Sequence, residues 1–368
     1  MCDKNKSVNI LTFWGVPNYG AWAQAYALRN VISEIHPEYN VRQIAFLHPE
    51  HRKLYFEKRF PKPASITTFI HPGYYRRLYE YFFKDPSKYP FFEQAWNSIP
   101  HIDISDIEQL ERIECDVLVT GSDVIWQFGH NQFGDDEHLI GNNMKYNKLV
   151  AYACSFGDVN PDDNLPSFVE KGLLKYDSIS VRDLNSRIIV EKYITNKEIP
   201  IVLDPTLMYD FRNDKSIGDG RNDRYILVYG SSIPLNIVLE IKKYAIKNKC
   251  RIIGAGRTKA PTWCDERLVD IDPRGWIALF KDAEFVVTST FHGLMFSLIY
   301  EKKFLFYQEE YVKNRSQWIL EKIGISDLFN INDLSLERVI AFDWKYSEYR
   351  KVLEGIRKES LEYLRNAI

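Results

Sequence analysis

The sequence is short of the features that would decide its class quickly. Cysteine is scarce, with five in 368 residues: Cys2, Cys115, Cys154, Cys250 and Cys264. They are dispersed, with no CxxC pair and no histidine at ligand spacing, so neither a zinc site nor a disulfide framework is indicated. An odd, scattered set fits a reducing compartment. An excess of one charge is also missing: 48 Lys+Arg against 50 Asp+Glu leave a formal net charge of -2, with a pI near 6.5. That balance removes the whole-chain case for nucleic-acid binding, which calls for a clearly basic domain. No apolar run approaches the ~20 residues of a membrane span, and the run before Gly15 is too brief for a signal peptide core. Low-complexity tracts are absent. So are GxxxxGK[ST], the GxSxG elbow, HExxH and the EF-hand loop, and IIGAGRTKA carries only part of a GxGxxG pattern. These absences point to a cytoplasmic protein.

What is present is a series of short β-like runs, each followed by a longer segment at helical spacing. The runs are VNILTFWG, CDVLVTG, KLVAYACSFG, SISVRD, IPIVLDP, RYILVYG, CRIIGAG, AEFVVTST and KKFLFY. Strands alternating with helices indicate an α/β protein with mainly parallel sheets. Most of the runs are continuously apolar rather than alternating, as expected of strands covered on both faces. The length exceeds what one core usually organises, so two domains are expected. A polar, charged stretch, DFRNDKSIGDGRNDR at 210–224, supplies the break. The first domain is expected over residues 1–209 and the second over 225–340. The tail 341–368 carries Val352, Ile356, Leu361 and Leu364 near helical spacing, and is expected to form a terminal helix packed back on the first domain.

Residues 51–100 differ from their surroundings, with nine Lys/Arg against four Asp/Glu and fourteen interleaved aromatics. Two readings stand: an insertion that contacts an acceptor or a membrane surface, or helices whose rings supply packing while a basic face is solvated.

Four strand ends share a design. In open α/β sheets ligands bind beyond the carboxyl ends of strands, where N–H groups at helix starts favour anions. After ILTFWG, Asn18 and Gly20 precede a helix; Asn18 is a natural cap, and Gly20 permits a tight turn or close approach of a ligand. After DVLV, Gly121 and Ser122 form a small polar exit. There Asp123 either caps or acts on a substrate, and Trp126 either stacks on a sugar or joins the core. After SISV comes Arg182, suited to bidentate recognition of phosphate or carboxylate or to an ion pair with Asp183 or another acid. After EFVV, the small donors Thr288, Ser289 and Thr290 lead to His292 and Gly293. A lone histidine is usually a core residue, but here it sits at a helix start among small donors, the setting of an anion cradle with a proton carrier titrating near neutrality.

Taken in order, NYGAWAQAYAL, TGSDVIWQF, AYACSFG, SVRD, VLDPTL and VVTSTFHGLMFSLIYEKKFLFY resemble the polysaccharide pyruvyl transferase family, over roughly residues 8 to 325. Each motif is loose; six in sequence are specific. The resemblance implies two facing Rossmann-like domains of the GT-B kind, with a cleft between them. It implies transfer of pyruvate from phosphoenolpyruvate to two hydroxyls of a sugar in a cell-surface polysaccharide repeat unit, as a ketal, with release of phosphate. Phosphoenolpyruvate is then a co-substrate, and no cofactor or metal is called for. The other partner is a sugar acceptor, expected to be a lipid-linked oligosaccharide reached by peripheral contact at the inner face of the cell membrane. Residue by residue, the resemblance makes His292 the acid/base or the stabiliser of the leaving phosphate, and Asp123 a base for the acceptor. It assigns Arg182 and Arg315 to the donor anion, with Thr288, Ser289, Thr290 and Gly293 beside them. It sets Asn18, Gly20, Ser122 and Trp126 along the acceptor pocket. One departure stands out: some branches carry Arg two residues before the histidine, where this chain has Thr290, so the anion clamp must be built differently. Two other classes compete, a nucleotide-sugar glycosyltransferase on the same scaffold and a non-catalytic glycan-binding assembly protein.

Overall fold

The structure, a computed structural model, describes residues 6–56, 72–79, 82, 87–129, 135–230, 233–256 and 261–368. The first domain holds strands β1 (Ser7–Leu11), β2 (Asn40–Ala45), β3 (His101–Asp103), β4 (Glu114–Thr120), β5 (Lys145–Cys154) and β6 (Ser178–Val181). Its helices are α1 (Tyr19–Ile35), α2 (Pro49–Phe56), α3 (Pro72–Tyr79), α4 (Tyr89–Asn97), α5 (Ile107–Arg112), α6 (Ser167–Leu173), α7 (Leu184–Tyr193) and α8 (Pro205–Met208). The second domain holds β7 (Tyr225–Tyr229), β8 (Arg251–Ala255), β9 (Glu266–Leu268), β10 (Phe285–Thr288) and β11 (Phe304–Phe306). Around them lie α9 (Leu235–Asn248), α10 (Pro273–Asp282), α11 (Phe291–Ile299), α12 (Glu310–Lys322) and α13 (Leu336–Ala341), followed by the terminal α14 (Tyr346–Ala367).

The first sheet runs β3-β2-β1-β4-β5-β6 and the second β11-β10-β7-β8-β9, with every named pairing parallel. In each sheet the earliest strand is central and the order reverses beside it, between β1 and β4 and between β7 and β10. That reversal opens a crevice at the carboxyl edge, because helices on either side of it cover opposite faces. The chain exits at those two points carry Asn18, Gly20 and Asp123 from the first sheet and Ser289 to His292 from the second. Full burial on both faces explains the apolar runs: β7 and β10 are buried at every position.

One expected strand fails. IPIVLDP makes only an isolated bridge, Val181 with Ile201, since Pro200 has no N–H for a ladder and Asp204 turns the chain to cap α8. In its place the polar NVRQIA and the short HID and ERL runs pair as β2, β3 and β9. The stretch at 210–224 is anchored: Phe211 is buried, and Asp214 accepts hydroxyl hydrogen bonds from Tyr26 and Tyr209. Much of the 51–100 segment lies outside the described residues. Of the rest, Phe92 and Trp96 are buried, whereas Leu54, Tyr75, Tyr79, Phe82 and Phe91 are exposed.

The domains meet through aromatic rings. Tyr19 of α1 stacks on Trp276 of α10 at 5.2 Å and donates its hydroxyl to Ile271 O at 2.9 Å. Arg274 lies over Trp22 and donates to Ser98 Oγ. The terminal helix α14 lies on the first domain. Tyr363 Oη donates to Ala151 O, Ser360 Oγ accepts from Leu203 N, and Lys6 Nζ donates to Ile368 O. Trp276 is fully buried and its indole N–H has no partner among the described residues, so its contribution is packing. Trp276→Ala should therefore cost about 3–5 kcal/mol and Trp276→Phe much less, read as the shift of the urea unfolding midpoint.

Candidate active site

The exit from β10 is a turn closed by its own hydroxyls. Thr290 caps α11, its Oγ1 accepting from Gly293 N at 3.0 Å. Thr288 Oγ1 donates to Tyr229 O at 2.7 Å and accepts from Thr290 N at 3.2 Å. A Cβ on Gly293 would lie 2.0 Å from Thr288 Oγ1. The room that Gly293 leaves is thus filled by the threonines and not by the histidine ring. Ser289 is buried against Gly230. The turn aims His292 out of the second domain.

On the facing side, Asn18 Oδ1 accepts from Gly20 N at 3.1 Å and Ala21 N at 3.4 Å, starting α1. The bare Cα of Gly20 then meets the His292 ring: a Cβ there would lie 2.1 Å from Nδ1. So the close approach predicted for Gly20 is made by a side chain of the other domain. His292 is 9% exposed, and its Nε2 has no hydrogen-bond partner among the described residues. The nearest acid oxygen to that nitrogen is Asp204 Oδ1 at 3.9 Å.

Beneath the histidine lies a buried ion triad. Arg182 donates from Nη1 to Asp204 Oδ2 and from Nη2 to Asp123 Oδ1, both at 2.8 Å, and its guanidinium sits over Phe291 at 4.4 Å. The ion pair predicted for Arg182 exists, but Asp183 is not in it. Asp183 caps α7 and accepts from Ser155 Oγ. Asp204 was not singled out from the sequence because DP before a short helix reads as a cap, a job it also performs through Thr206 N and Oγ1. Asp123 is held at φ 81, in the left-handed region, and bridges to Cys154.

The electrostatics separate the groups. Burial works to raise the Asp123 pKa, but Arg182, His292 and Arg315 outweigh it and hold the carboxyl below its ordinary 3.8. A carboxylate so held is a poor base, which argues against the role expected of Asp123. For His292, burial is the largest influence and lowers the pKa from 6.5; Asp204 and Asp123 oppose it, and Arg182 and Arg315 add to it. The imidazole is therefore neutral at pH 7. Arg315 is buried over the Tyr311 ring, donates from Nε to Tyr311 O, and makes no ion pair with any described residue.

Two expected acceptor residues lie elsewhere. Ser122 is wholly buried, its N and Oγ both donating to Gln24 Oε1 at 3.1 Å, and Thr12 Oγ1 donates to its carbonyl. Trp126 is also wholly buried, with Nε1 donating to Leu139 O and the ring against Phe156 and Tyr176. Both are core supports of the loop that carries Asp123, Ser122 held by Gln24 and Trp126 by the tight helical turn at Glu137–Ile140. Among the described residues, no cluster of three or more His, Cys, Asp or Glu converges as metal ligands would.

The family model described as polysaccharide pyruvyl transferase matches residues 18–309, most of the chain and every site residue expected from the sequence except Arg315. The chain belongs to the polysaccharide pyruvyl transferase family. No curated protein matches it. Among solved structures, a UDP-N-acetylglucosamine 2-epimerase is similar at 8% identity and TM-score 0.50, covering 95% of this chain and 90% of that one. The S. aureus MnaA-UDP co-structure matches at 9% identity and TM-score 0.49, covering 98% and 91%. E. coli heptosyltransferase WaaC with ADP-2-deoxy-2-fluoro heptose matches at 13% and 0.39, covering 84% and 91%. The likeness is one of fold: two Rossmann-like domains in the GT-B arrangement.

The triad predicts a large stability effect. Arg182→Ala leaves two buried carboxylates unpaired and should cost about 3–5 kcal/mol in chemical unfolding. Because the folded Asp123 carboxyl titrates below its unfolded value, its charge contributes stability that is complete above about pH 4 and is lost as the pH falls through the folded value. The Arg182→Ala deficit should accordingly shrink in strong acid.

Proposed function

We propose that this pyruvyl transferase takes its pyruvyl group from phosphoenolpyruvate and sets it as a ketal across two hydroxyls of a sugar in a polysaccharide repeat unit. The supporting observation is the meeting of His292, neutral and with a free Nε2, with Gly20 of the other domain above the Asp123–Arg182–Asp204 triad. In the reaction one hydroxyl loses its proton to a base as it adds to C2 of the donor, and C3 gains a proton in the same addition. Phosphate leaves by cleavage of the C2–O bond, and the second hydroxyl closes the ring. Two hydroxyl protons are released, and C3 and phosphate each take one. A group that accepts a proton and returns it serves both halves, and a neutral histidine is suited to accept first. Asp204, 3.9 Å from Nε2, stabilises the imidazolium that results.

The anion needs a different clamp from the one the sequence suggests. Arg182 is committed to two carboxylates, so its part is to hold Asp204 and Asp123 in place. Among the described residues Arg315 has no acid partner, and the N–H groups of Phe291 and His292 at the start of α11 add donors beside Ser289. Asn18 and Gly20 border the acceptor side. An acceptor held on a lipid carrier at the inner face of the cell membrane, with the protein cytoplasmic, is consistent with this reading; no described helix is long and apolar enough to cross a membrane.

Calorimetric titration with phosphoenolpyruvate, UDP and inorganic phosphate tests the donor. Arg315→Ala should weaken phosphoenolpyruvate binding by about tenfold or more, whereas His292→Ala should keep binding and lose turnover. Binding of UDP with none of phosphoenolpyruvate would transfer the protein to nucleotide-sugar chemistry. Since the base form of His292 is the working form and its pKa lies below 6.5, kcat/KM should be flat at neutral pH and fall as the pH drops through that value. A Gly20→Ala variant should lose turnover by at least about tenfold, because the methyl displaces the ring, while its circular dichroism stays that of the native fold.

A further inference from the structure

α9 has two apolar faces. The inner one, Ile237, Val238, Ile241 and Ala245, packs on the second sheet. The outer one is a line of three aliphatic side chains facing solvent: Leu235 at 73% exposure, Leu239 at 51% and Ile246 at 81%. At ~100° per residue they fall within about 40° of arc. Lys242 flanks that arc on one side, Lys243 and Lys247 on the other, and Lys249 follows at the C-cap, all exposed. The helix has one acid, Glu240, which lies off the arc and accepts from Leu336 N of α13. A solvent face built of large aliphatics edged by three lysines and Asn236 is costly to leave bare and gains nothing for this domain's own core.

We propose that this face of α9 seats the protein on an anionic lipid surface. Side chains of this kind match the boundary layer of such a surface: the aliphatics enter the acyl region while the lysine stems lie along it and carry their ammonium groups to the headgroups. Each lysine near an anionic leaflet adds to the attraction, within a Debye length. A second copy of the chain fits less well, because a two-fold contact through this patch would set the lysine rows against each other. Nucleic acid would gain nothing from three aliphatics. The geometry leaves the domain cleft unobstructed. A right-handed crossover from β7 to β8 and the return from β9 to β10 place α9 and α10 on opposite faces of the sheet. Since α10 is the helix that meets α1 and α4, α9 faces away from the first domain. This contact is separate from the exposed rings of the 51–100 segment, and it does not depend on the identity of the donor.

Co-sedimentation of the intact protein with vesicles of phosphatidylcholine, and of phosphatidylcholine mixed with phosphatidylglycerol, tests the assignment. Binding is expected to the mixed vesicles alone and to weaken with added salt. It should fall by about tenfold or more in Lys242→Glu/Lys243→Glu/Lys247→Glu and in Leu235→Gln/Leu239→Gln/Ile246→Gln. Circular dichroism and phosphoenolpyruvate titration of both variants should match the parent, separating loss of the surface from loss of the fold or of the donor site. Absence of vesicle binding by the parent overturns the proposal. So does vesicle binding that survives both α9 variants and is removed by Arg52→Glu/Lys53→Glu, or light scattering that shows a dimer dissolved by either α9 variant.

Discussion

The arrangement depends on one buried cation. Arg182 sits with no effective access to water and is neutralised twice, by a carboxylate from the loop after β4 and another from the turn into α8. A guanidinium in that position is tolerable only when its charge is met by fixed acids. The two acids are correspondingly fixed: Asp123 by its bridge to Cys154, Asp204 by its cap on α8. Segments more than eighty residues apart in sequence are tied at a single point, and the face of that point toward the second domain is Phe291 and His292.

The support extends outward in layers. Gln24 and Thr12 lock the backbone that delivers Asp123. Tyr152 Oη donates to Leu203 O, and Ser360 of α14 accepts from Leu203 N, so the segment that ends in Asp204 is held from both sides. The terminal helix, remote in sequence, is thus part of the scaffold beneath the histidine. Residues whose types suggest substrate contact, such as Ser122 and Trp126, instead spend their polar atoms on this framework.

Much of the fold was legible because it follows from local pattern: continuous apolar runs alternating with helical spacing announce parallel sheets, and the motif order names the family. The strands that escaped notice, β2, β3 and β9, are short or polar and owe their existence to the neighbour they pair with. IPIVLDP had the composition of a strand but not the donors. At the site, His292, Asn18, Gly20 and Arg182 stood out because strand ends at a sheet's reversal are where function gathers. The partners of those residues did not, since which acid meets Arg182 is a long-range fact. Asp204 was hidden behind its capping role, and the fully engaged hydroxyls of Thr288 and Thr290 look, in one dimension, like free donors.

The contact of Gly20 with the His292 ring has a consequence for how this protein can change over evolution. One partner comes from the first domain and one from the second, and the fit tolerates no added carbon. The two halves are therefore not interchangeable modules. A half borrowed from a relative would reproduce this seam only where glycine and imidazole meet at the same height across it. Duplication, recombination and drift in either half are constrained by a space one methyl group wide in the other.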